Sequence, residues 1–499
     1  MHQDAANPSN SLNKSQFRDL IQRIAHGLRH SYGIGANGPN KDVITVMSYG
    51  SIMIPTAFFG VIAAGGVYSA ASPSSTVSEL ARQISIGKSN LVICSEEHIE
   101  VAKEAAKQCD VSLDRVLVLS SSPERKLESL GTGINAVSSN RLPWTTITDR
   151  TALKNSLITI LWSSGTTGLP KGVMLSHENL VAETYITALS GRAWAEAEVA
   201  KGTFTPVEYR ALAHLPISHI AGLFGYFISP IYAGGTVIWM QRYRWDDLLK
   251  YMKQYKITAF YTVPSIWLRI AKSKEITDHF AYVEGAATGA APMDGVLQTA
   301  ASGRLTSADK TKTVSVGQTW GLSETTGAVT AVPKGEIDVS GSIGSVLPGV
   351  ELRLVDEDFR DVGDEGEEGE LIVRSPLVTN GYFNNEEATK GTFRDGWFCT
   401  GDIAVRRGGK FFVVDRKKVG LEIMHVLVES RQITDLEAGA SQVQRSTSGS
   451  SRARKPAVHT PWDQRSRCRR CASSWRPNHR LATCLCCPRG TRPIERGRG

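Results

Sequence analysis

A segment rich in hydroxyl groups and glycines leads into a lysine at Lys171. Its backbone N–H groups and hydroxyls can surround phosphate oxygens, and the lysine can neutralise their charge. It is not a Walker A loop, because Lys171 lies between Pro170 and Gly172. The alternative is that this segment is a surface loop without a binding role. The apolar run 157–162 before it favours a phosphate site that follows a strand. The residues of this candidate loop are Ser163, Ser164, Gly165, Thr166, Thr167 and Gly168.

A second segment, 318–327, carries an acid next to a hydroxyl. The carboxylate of Glu324 is a hard oxygen ligand of the kind Mg²⁺ prefers, and Ser323 can donate to a phosphate oxygen. Trp320 and Gly321 precede them. The alternative for Glu324 is a solvated surface acid.

Three further positions are weaker candidates for a functional site when each is considered alone. His219 lies among apolar residues, and a histidine in such a setting is more often a core residue than a functional one. The small residues of 285–292 would let a flat ring approach the backbone, or they form a tight turn after a strand. Asp402 could hold a vicinal diol through two charge-assisted hydrogen bonds, whereas the charged run 415–418 resembles a solvated surface.

Together and in this order, these motifs resemble the adenylate-forming superfamily of acyl-CoA synthetases, luciferases and peptide-synthetase adenylation domains. The similarity is strongest to the 4-coumarate–CoA ligase-like branch and runs from about Ser15 to Lys418. It departs from the usual pattern at Trp320, where tyrosine is usual, and at Ser323, where threonine is common.

The resemblance implies a role for each motif. His219 would help to gate the carboxylate beside the acyl pocket, and Trp320 would stack on adenine. Asp402 would accept hydrogen bonds from the ribose hydroxyls, Arg416 would reach the ribose, and Lys418 would be the pivot of a hinge. The adenine wall would be formed by Gly289, Ala290 and Ala291.

Apolar runs alternate with amphipathic segments over most of the chain. Runs at 43–47, 91–94, 157–162, 236–240, 259–263 and 314–316 predict buried strands, and 245–255 predicts a helix. The stretch 43–78 has no charged residue but is interrupted by glycines and a proline, so we expect a buried strand–helix–strand unit, not a membrane span. Strands alternating with helices predict an α/β fold with helix-covered, largely parallel sheets.

Short β-like runs separated by turns follow from residue 350 to 414, at 351–355, 370–373 and 410–414. We therefore expect a large N-terminal adenylation domain over 1–349, a small β subdomain over 350–418 up to the hinge, and an aberrant tail over 419–499. The resemblance implies a C-terminal α+β domain of roughly 100 residues after the hinge. We expect that domain to be largely missing or replaced, because neither its lysine nor a Lys–Gly loop can be matched.

The tail differs from the body in charge. The 499-residue chain has a net charge of +8, but residues 442–499 hold 14 Lys and Arg against 2 Asp and Glu, which leaves 43 basic and 47 acidic residues before them. The mildly acidic body argues against a specific nucleic-acid partner. We interpret the tail as an unselected reading frame that forms no packed domain. A zinc-binding tail, with Cys468 and Cys471 among its ligands, and a basic nucleic-acid arm are the alternatives.

We expect an ATP- and Mg²⁺-dependent ligase that joins a carboxylic acid, an aryl-propenoate or a medium-chain fatty acid, to coenzyme A through an acyl-adenylate. One alternative is a nucleotide-binding relic that lost the second half-reaction, and another is a peptide-synthetase adenylation module. With three scattered cysteines in the body and no secretory signal, we expect an intracellular, cytoplasmic monomer or dimer without a membrane span, with the peroxisome as the alternative compartment if the true C-terminus differs.

Overall fold

The structure, a computed structural model, describes residues 1–144, 146–163, 170–305, 314–362 and 366–416. Within these ranges, no helix combines the length and the apolar character needed to cross a membrane. The helices are α1 (Lys14–Tyr32), α2 (Met53–Ala63), α3 (Val77–Gly87), α4 (Ile99–Gln108), α5 (Arg150–Asn155), α6 (His177–Ala200), α7 (Ile220–Leu223), α8 (Ser229–Ala233), α9 (Trp245–Gln254), α10 (Pro264–Lys272), α11 (Gly295–Ser302) and α12 (Glu386–Thr392).

Strands alternate with these helices and form three sheets. They are β1 (His2–Asp4), β2 (Ser11–Leu12), β3 (Val43–Met47), β4 (Val67–Ala71), β5 (Leu91–Ser95), β6 (Val116–Ser120), β7 (Lys126–Ser129), β8 (Leu157–Ser163), β9 (Lys171–Ser176), β10 (Arg210–Ala213), β11 (Thr236–Trp239), β12 (Ala259–Thr262), β13 (Gly285–Thr288), β14 (Val316–Leu322), β15 (Gly327–Ala331), β16 (Ser345–Val346), β17 (Glu351–Val355), β18 (Glu368–Arg374), β19 (Phe393–Arg394), β20 (Trp397–Arg407) and β21 (Lys410–Arg416).

The first sheet has the strand order β7-β6-β5-β3-β4-β8-β9. Its five inner strands are parallel, and β7 and β9 close its edges antiparallel. Every residue of β3, β4 and β5 is buried, as parallel strands covered on both faces require. The uncharged stretch 43–78 thus contains the β3–α2–β4 unit, which confirms the expected buried strand–helix–strand arrangement.

The second sheet has nine strands in the order β16-β15-β14-β13-β12-β10-β11-β1-β2. Strand β1 was not expected, because three residues are too few to show a periodic pattern. It pairs in parallel with β11, and the indole Nε1 of Trp239 donates a hydrogen bond to Nδ1 of buried His2 at 3.1 Å. Tertiary contacts therefore decide this strand.

The third sheet is antiparallel, with the order β17-β18-β20-β19 and with β21 paired to β20. Its strands contain the three β-like runs predicted between 351 and 414. The buried carboxylate of Asp338 forms a 2.8 Å ion pair with Lys410 at the start of β21. The predicted domain boundaries at 349 and 418 stay predictions, and residues 419–499 lie outside the described part of the chain.

Three local expectations need correction. The strand expected at 314–316 begins only at Val316 and continues to Leu322, because pairing with β13 and β15 recruits glycines and polar residues that no apolar pattern reveals. The composition of 163–172 predicts one continuous loop, but Lys171 and Gly172 at its end belong to strand β9. Residues 285–288 are strand β13, so the tight turn considered for this segment can begin only after Thr288.

Candidate active site

The lysine of the predicted phosphate loop is held by an antiparallel hairpin. Ser163 is the last residue of β8 and pairs with Lys171, the first residue of β9. The register fixes where the loop leaves the sheet and where it returns. Five of the predicted loop residues lie outside the described residues: Ser164, Gly165, Thr166, Thr167 and Gly168.

Glu324 lies in the short helical turn Ser323–Thr325 between β14 and β15. Its side chain is buried, and its Oε1 accepts hydrogen bonds from the Ser163 hydroxyl at 3.2 Å and from the Tyr382 hydroxyl at 2.9 Å. The structure thus brings the end of the predicted phosphate loop to the predicted metal-binding carboxylate, 161 residues away in sequence. Ser323 is half-buried beside it.

Tyr382 is a site residue that the sequence analysis missed. The Nζ of Lys171 lies over its ring, 5.1 Å from the centroid, so one side chain touches both the lysine and Glu324. Burial, and then the neighbouring carboxylate, raise the pKa of the Tyr382 hydroxyl, which therefore stays a protonated donor.

The backbone around Tyr382 is fixed on both sides. The Phe383 N–H donates to the Gly172 carbonyl at 2.7 Å, and the Thr379 N–H donates to the Glu324 carbonyl at 2.7 Å. Segment 379–383 is consequently pinned between β9 and the Glu324 turn. The only sequence signal is an aromatic pair, Tyr382-Phe383, set among asparagines and a glycine, which indicates a turn and no particular chemistry.

Two predicted nucleotide residues meet at Asp402, in β20. Its Oδ1 accepts from the Arg416 guanidinium at 2.7 Å, and its Oδ2 accepts from the Trp320 indole N–H at 2.8 Å. The Asp402 side chain is only 4% exposed. Each carboxylate oxygen has a second lone pair, so both can accept a further donor such as a ribose hydroxyl. Lys418, the predicted pivot, lies outside the described residues.

The predicted adenine wall follows strand β13. Ala290 has a left-handed backbone (φ 68°), which is uncommon for a residue with a side chain and is typical of functional sites. A β-carbon at Gly321 would lie 1.7 Å from the Gly327 carbonyl oxygen, so the β14–β15 hairpin permits only glycine there. Gly289 and Ala291 flank Ala290.

His219 is exposed and directly precedes α7. Helix α7, a π-helical turn over Phe224–Ile228 and α8 follow one another without a break, and such turns are frequent at functional sites. His214, by contrast, is a buried histidine, and burial lowers its pKa to about 4. The gating role of His219 stays a prediction.

The donor set fits one kind of metal ion. Among the described residues, no group of three or more His, Cys, Asp and Glu could form a protein-only metal site. A lone buried carboxylate beside the end of a predicted phosphate loop suits Mg²⁺, which takes one or two carboxylates and completes its shell with phosphate oxygens and water. Glu324 meets that requirement. The cysteines of the zinc alternative lie outside the described residues.

Two helix-covered, largely parallel sheets, with Lys171 and Glu324 joined through Tyr382, define an α/β adenylate-forming enzyme. The family model of the AMP-binding enzymes matches residues 3–383, and the chain belongs to this family.

Its relatives include named ligases. A putative acyl-coenzyme A synthetase of Emericella nidulans is 42% identical over 442 residues, which is 87% of this chain and 78% of that protein. A phenylacetyl-CoA ligase of Aspergillus niger is 29% identical over 83% of this chain and 74% of its own length. Among solved structures, ATP-bound MatB from Rhodopseudomonas palustris is 26% identical, with a TM-score of 0.67 over 83% of this chain and 75% of MatB. The chain is thus an acid–thiol ligase of the acyl-CoA synthetase kind.

Proposed function

We propose that the protein activates a carboxylic acid with ATP to give an acyl-adenylate and pyrophosphate, and then transfers the acyl group to the thiol of coenzyme A. The observation that carries this proposal is the cluster in which Ser163, Lys171, Glu324 and Tyr382 meet. It joins a cation, an acid and two hydroxyls where the predicted phosphate loop leaves and re-enters the sheet.

The first half-reaction needs little covalent chemistry from the protein, because the substrate carboxylate itself attacks the α-phosphorus. The protein contributes positioning and charge neutralisation. Lys171 would hold the departing pyrophosphate, and Ser323 would donate to an α-phosphate oxygen. Glu324 would hold Mg²⁺, which supplies positive charge to the phosphate oxygens.

The nucleoside half of ATP would bind at the Asp402 cluster. Asp402, fixed by Trp320 and Arg416, would accept from the ribose hydroxyls. The adenine would lie against 289–291, where the side chains are small, and Trp320 would border it. The buried indole donates to Asp402, so a single residue would orient both the base and the sugar.

The acid would be an aryl-propenoate or a medium-chain fatty acid. Relatives named for aryl substrates, such as a phenylacetyl-CoA ligase and the tobacco 4-coumarate–CoA ligase 2, support the first class. The small residues Gly327 and Ala328, which open β15 beside the Glu324 turn, would line the pocket of an elongated acyl group. His219 would contact the carboxylate end.

A second candidate is a nucleotide-binding protein that completes only part of the reaction. It is favoured by the sequence 419–499, in which neither the second lysine nor the Lys–Gly loop implied by the resemblance can be matched. This candidate predicts ATP binding without thioester formation.

Two assays on the full chain separate these candidates. Acid-dependent exchange between ATP and labelled pyrophosphate reports the first half-reaction, and loss of free CoA thiol reports the second. Exchange together with thiol loss supports the proposed function. Exchange without thiol loss supports the half-active protein, and ATP binding without exchange over a broad acid panel supports the relic.

A further inference from the structure

A buried acid outside the predicted site lies on helix α6. Glu183 is 1% exposed and follows Asn179 and Leu180 on the buried face of the helix. Its Oε1 accepts a hydrogen bond from the backbone N–H of Ala328 at 2.9 Å. Its Oε2 is fully buried and has no hydrogen-bond partner among the described residues.

An ionised carboxylate is costly in such surroundings. Burial raises the pKa of Glu183 well above its ordinary value, and the single Ala328 N–H opposes that shift only in part. Burial therefore favours the protonated, neutral form of this carboxyl. In that form the proton belongs on Oε2, because Oε1 accepts from Ala328, and Oε2 is then an O–H donor without an acceptor among the described residues.

The carboxyl group of Glu183 lies against the β14–β15 hairpin, whose turn carries Ser323 and Glu324. A β-carbon on Gly327 would come within 2.6 Å of Oε1, so the carboxyl occupies the space left by that glycine. In the β14–β15 hairpin, Gly327 pairs with Leu322 and Ala328 pairs with Gly321. Leu322 directly precedes Ser323 and Glu324. The unpartnered donor therefore lies one ladder step from the residues proposed to hold the α-phosphate and the metal.

A buried donor of this kind gains free energy only when it meets an acceptor, since leaving it unpaired costs more than a hydrogen bond returns. A site built around such a donor discriminates strongly against a ligand that lacks the matching oxygen. An apolar side chain at position 183 would serve a purely apolar acyl pocket at less cost.

We propose that Glu183 is a specificity-determining residue whose buried, unpartnered Oε2 donates a hydrogen bond to an oxygen on the organic part of the acid. The substrate class is then an acid bearing a hydroxyl, alkoxy or oxo group away from its carboxylate. This inference rests on the proposed function, because it assigns Glu183 to the acyl pocket of that reaction.

Matched acids that differ by one oxygen test this assignment in pyrophosphate exchange. One pair is 3-(4-hydroxyphenyl)propenoate and 3-phenylpropenoate, and the other is 8-hydroxyoctanoate and octanoate. The wild-type protein should prefer the oxygen-bearing member of at least one pair by about 10-fold or more in kcat/KM. Glu183→Leu should abolish that preference, and Glu183→Gln, which keeps a donor, should retain part of it.

Controls separate recognition from folding. Glu196→Leu changes an exposed acid on the same helix and should leave the preference intact. A purely structural role for Glu183 would lower the rates with both members of a pair by the same factor, and that result overturns the proposal. No preference within either pair in the wild-type protein overturns it as well.

A failure of the proposed function can be distinguished from a failure of the Glu183 assignment. If no acid supports exchange, equilibrium dialysis of the same four acids in the presence of AMP decides the role of Glu183. Tighter binding of an oxygen-bearing acid that Glu183→Leu abolishes supports the assignment even without catalysis. Equal binding within both pairs, or no binding of any of the four acids, overturns it.

Discussion

The Tyr382 hydroxyl donates a hydrogen bond to Glu324 Oε1 at 2.9 Å, across 58 residues of sequence. The same ring lies under the Lys171 ammonium group. Tyr382 therefore couples the positions of the only two charged side chains assigned to the phosphate end of the site, and it does so from a segment that carries no recognisable motif.

Tyr382→Phe tests that coupling. The variant keeps the ring under Lys171 but removes one donor to a buried carboxylate, and a hydrogen bond to a charged group contributes about 1.5–3 kcal/mol. We expect acid-dependent pyrophosphate exchange to slow by about 10-fold or more with an unchanged melting profile. Tyr185→Phe, at an exposed position on α6, is the control. Equal rates for Tyr382→Phe and wild type would remove Tyr382 from the site.

Lys171→Ala and Glu324→Ala should each slow adenylation by about 10²-fold or more. The first removes the positive charge that would hold the departing pyrophosphate, and the second removes the carboxylate that would hold Mg²⁺. Pyrophosphate exchange at saturating ATP measures the effect. The exposed pair Glu100 and Lys103 on α4 supplies matched alanine controls. Wild-type exchange in both site variants would show that the phosphate site is assigned to the wrong residues.

Asp402→Asn should raise KM for ATP by about 10-fold, because an amide has one acceptor oxygen where the carboxylate has two, and it loses the Arg416 ion pair. KM for the acid should stay the same. Asp361→Asn breaks an exposed Arg353 ion pair in the same region and serves as the control. A change confined to KM for the acid would contradict the ribose assignment.

Gly327→Ala should destabilise the fold by about 1–3 kcal/mol, because its β-carbon would meet Glu183 Oε1 and its φ of 131° is strained for any other residue. Shortening Glu183 to alanine should relieve the steric part of this loss. Urea midpoints of the two single variants and the double variant measure the coupling. Strict additivity would show that the clash does not limit stability.

His214 makes the fold sensitive to acid. Its pKa is lowered to about 4 by burial, while the unfolded chain takes up a proton near pH 6.5. The contribution of His214 to the free energy of unfolding is therefore present above pH 6.5 and is lost as the pH falls towards 4. Between pH 7.5 and 5.0 the loss is about 2 kcal/mol. Urea midpoints at the two pH values should differ less in His214→Gln than in wild type, whereas the exposed control His30→Gln should behave as wild type does. An identical pH response in His214→Gln would exclude this cause.

Local information was enough for much of the fold. Apolar runs gave the buried strands β3, β5 and β8 almost to the residue, since a parallel strand covered on both faces must be apolar throughout. Patterns failed where pairing, not composition, makes the strand. Strand β1 has three residues, and β14 is built partly from Gly317, Gln318 and Gly321.

The sequence by itself determined the chemical types at the site: a lysine beside a hydroxyl-rich loop, an acid next to Ser323, and an acid for the ribose. Only the tertiary structure decided how they are connected. The Trp320–Asp402 bond spans 82 residues, and the Glu183–Ala328 bond spans 145. A side chain's periodic position reports which face of its own helix or strand it occupies, whereas its partner, its burial and its charge depend on elements that pack against it from distant parts of the chain.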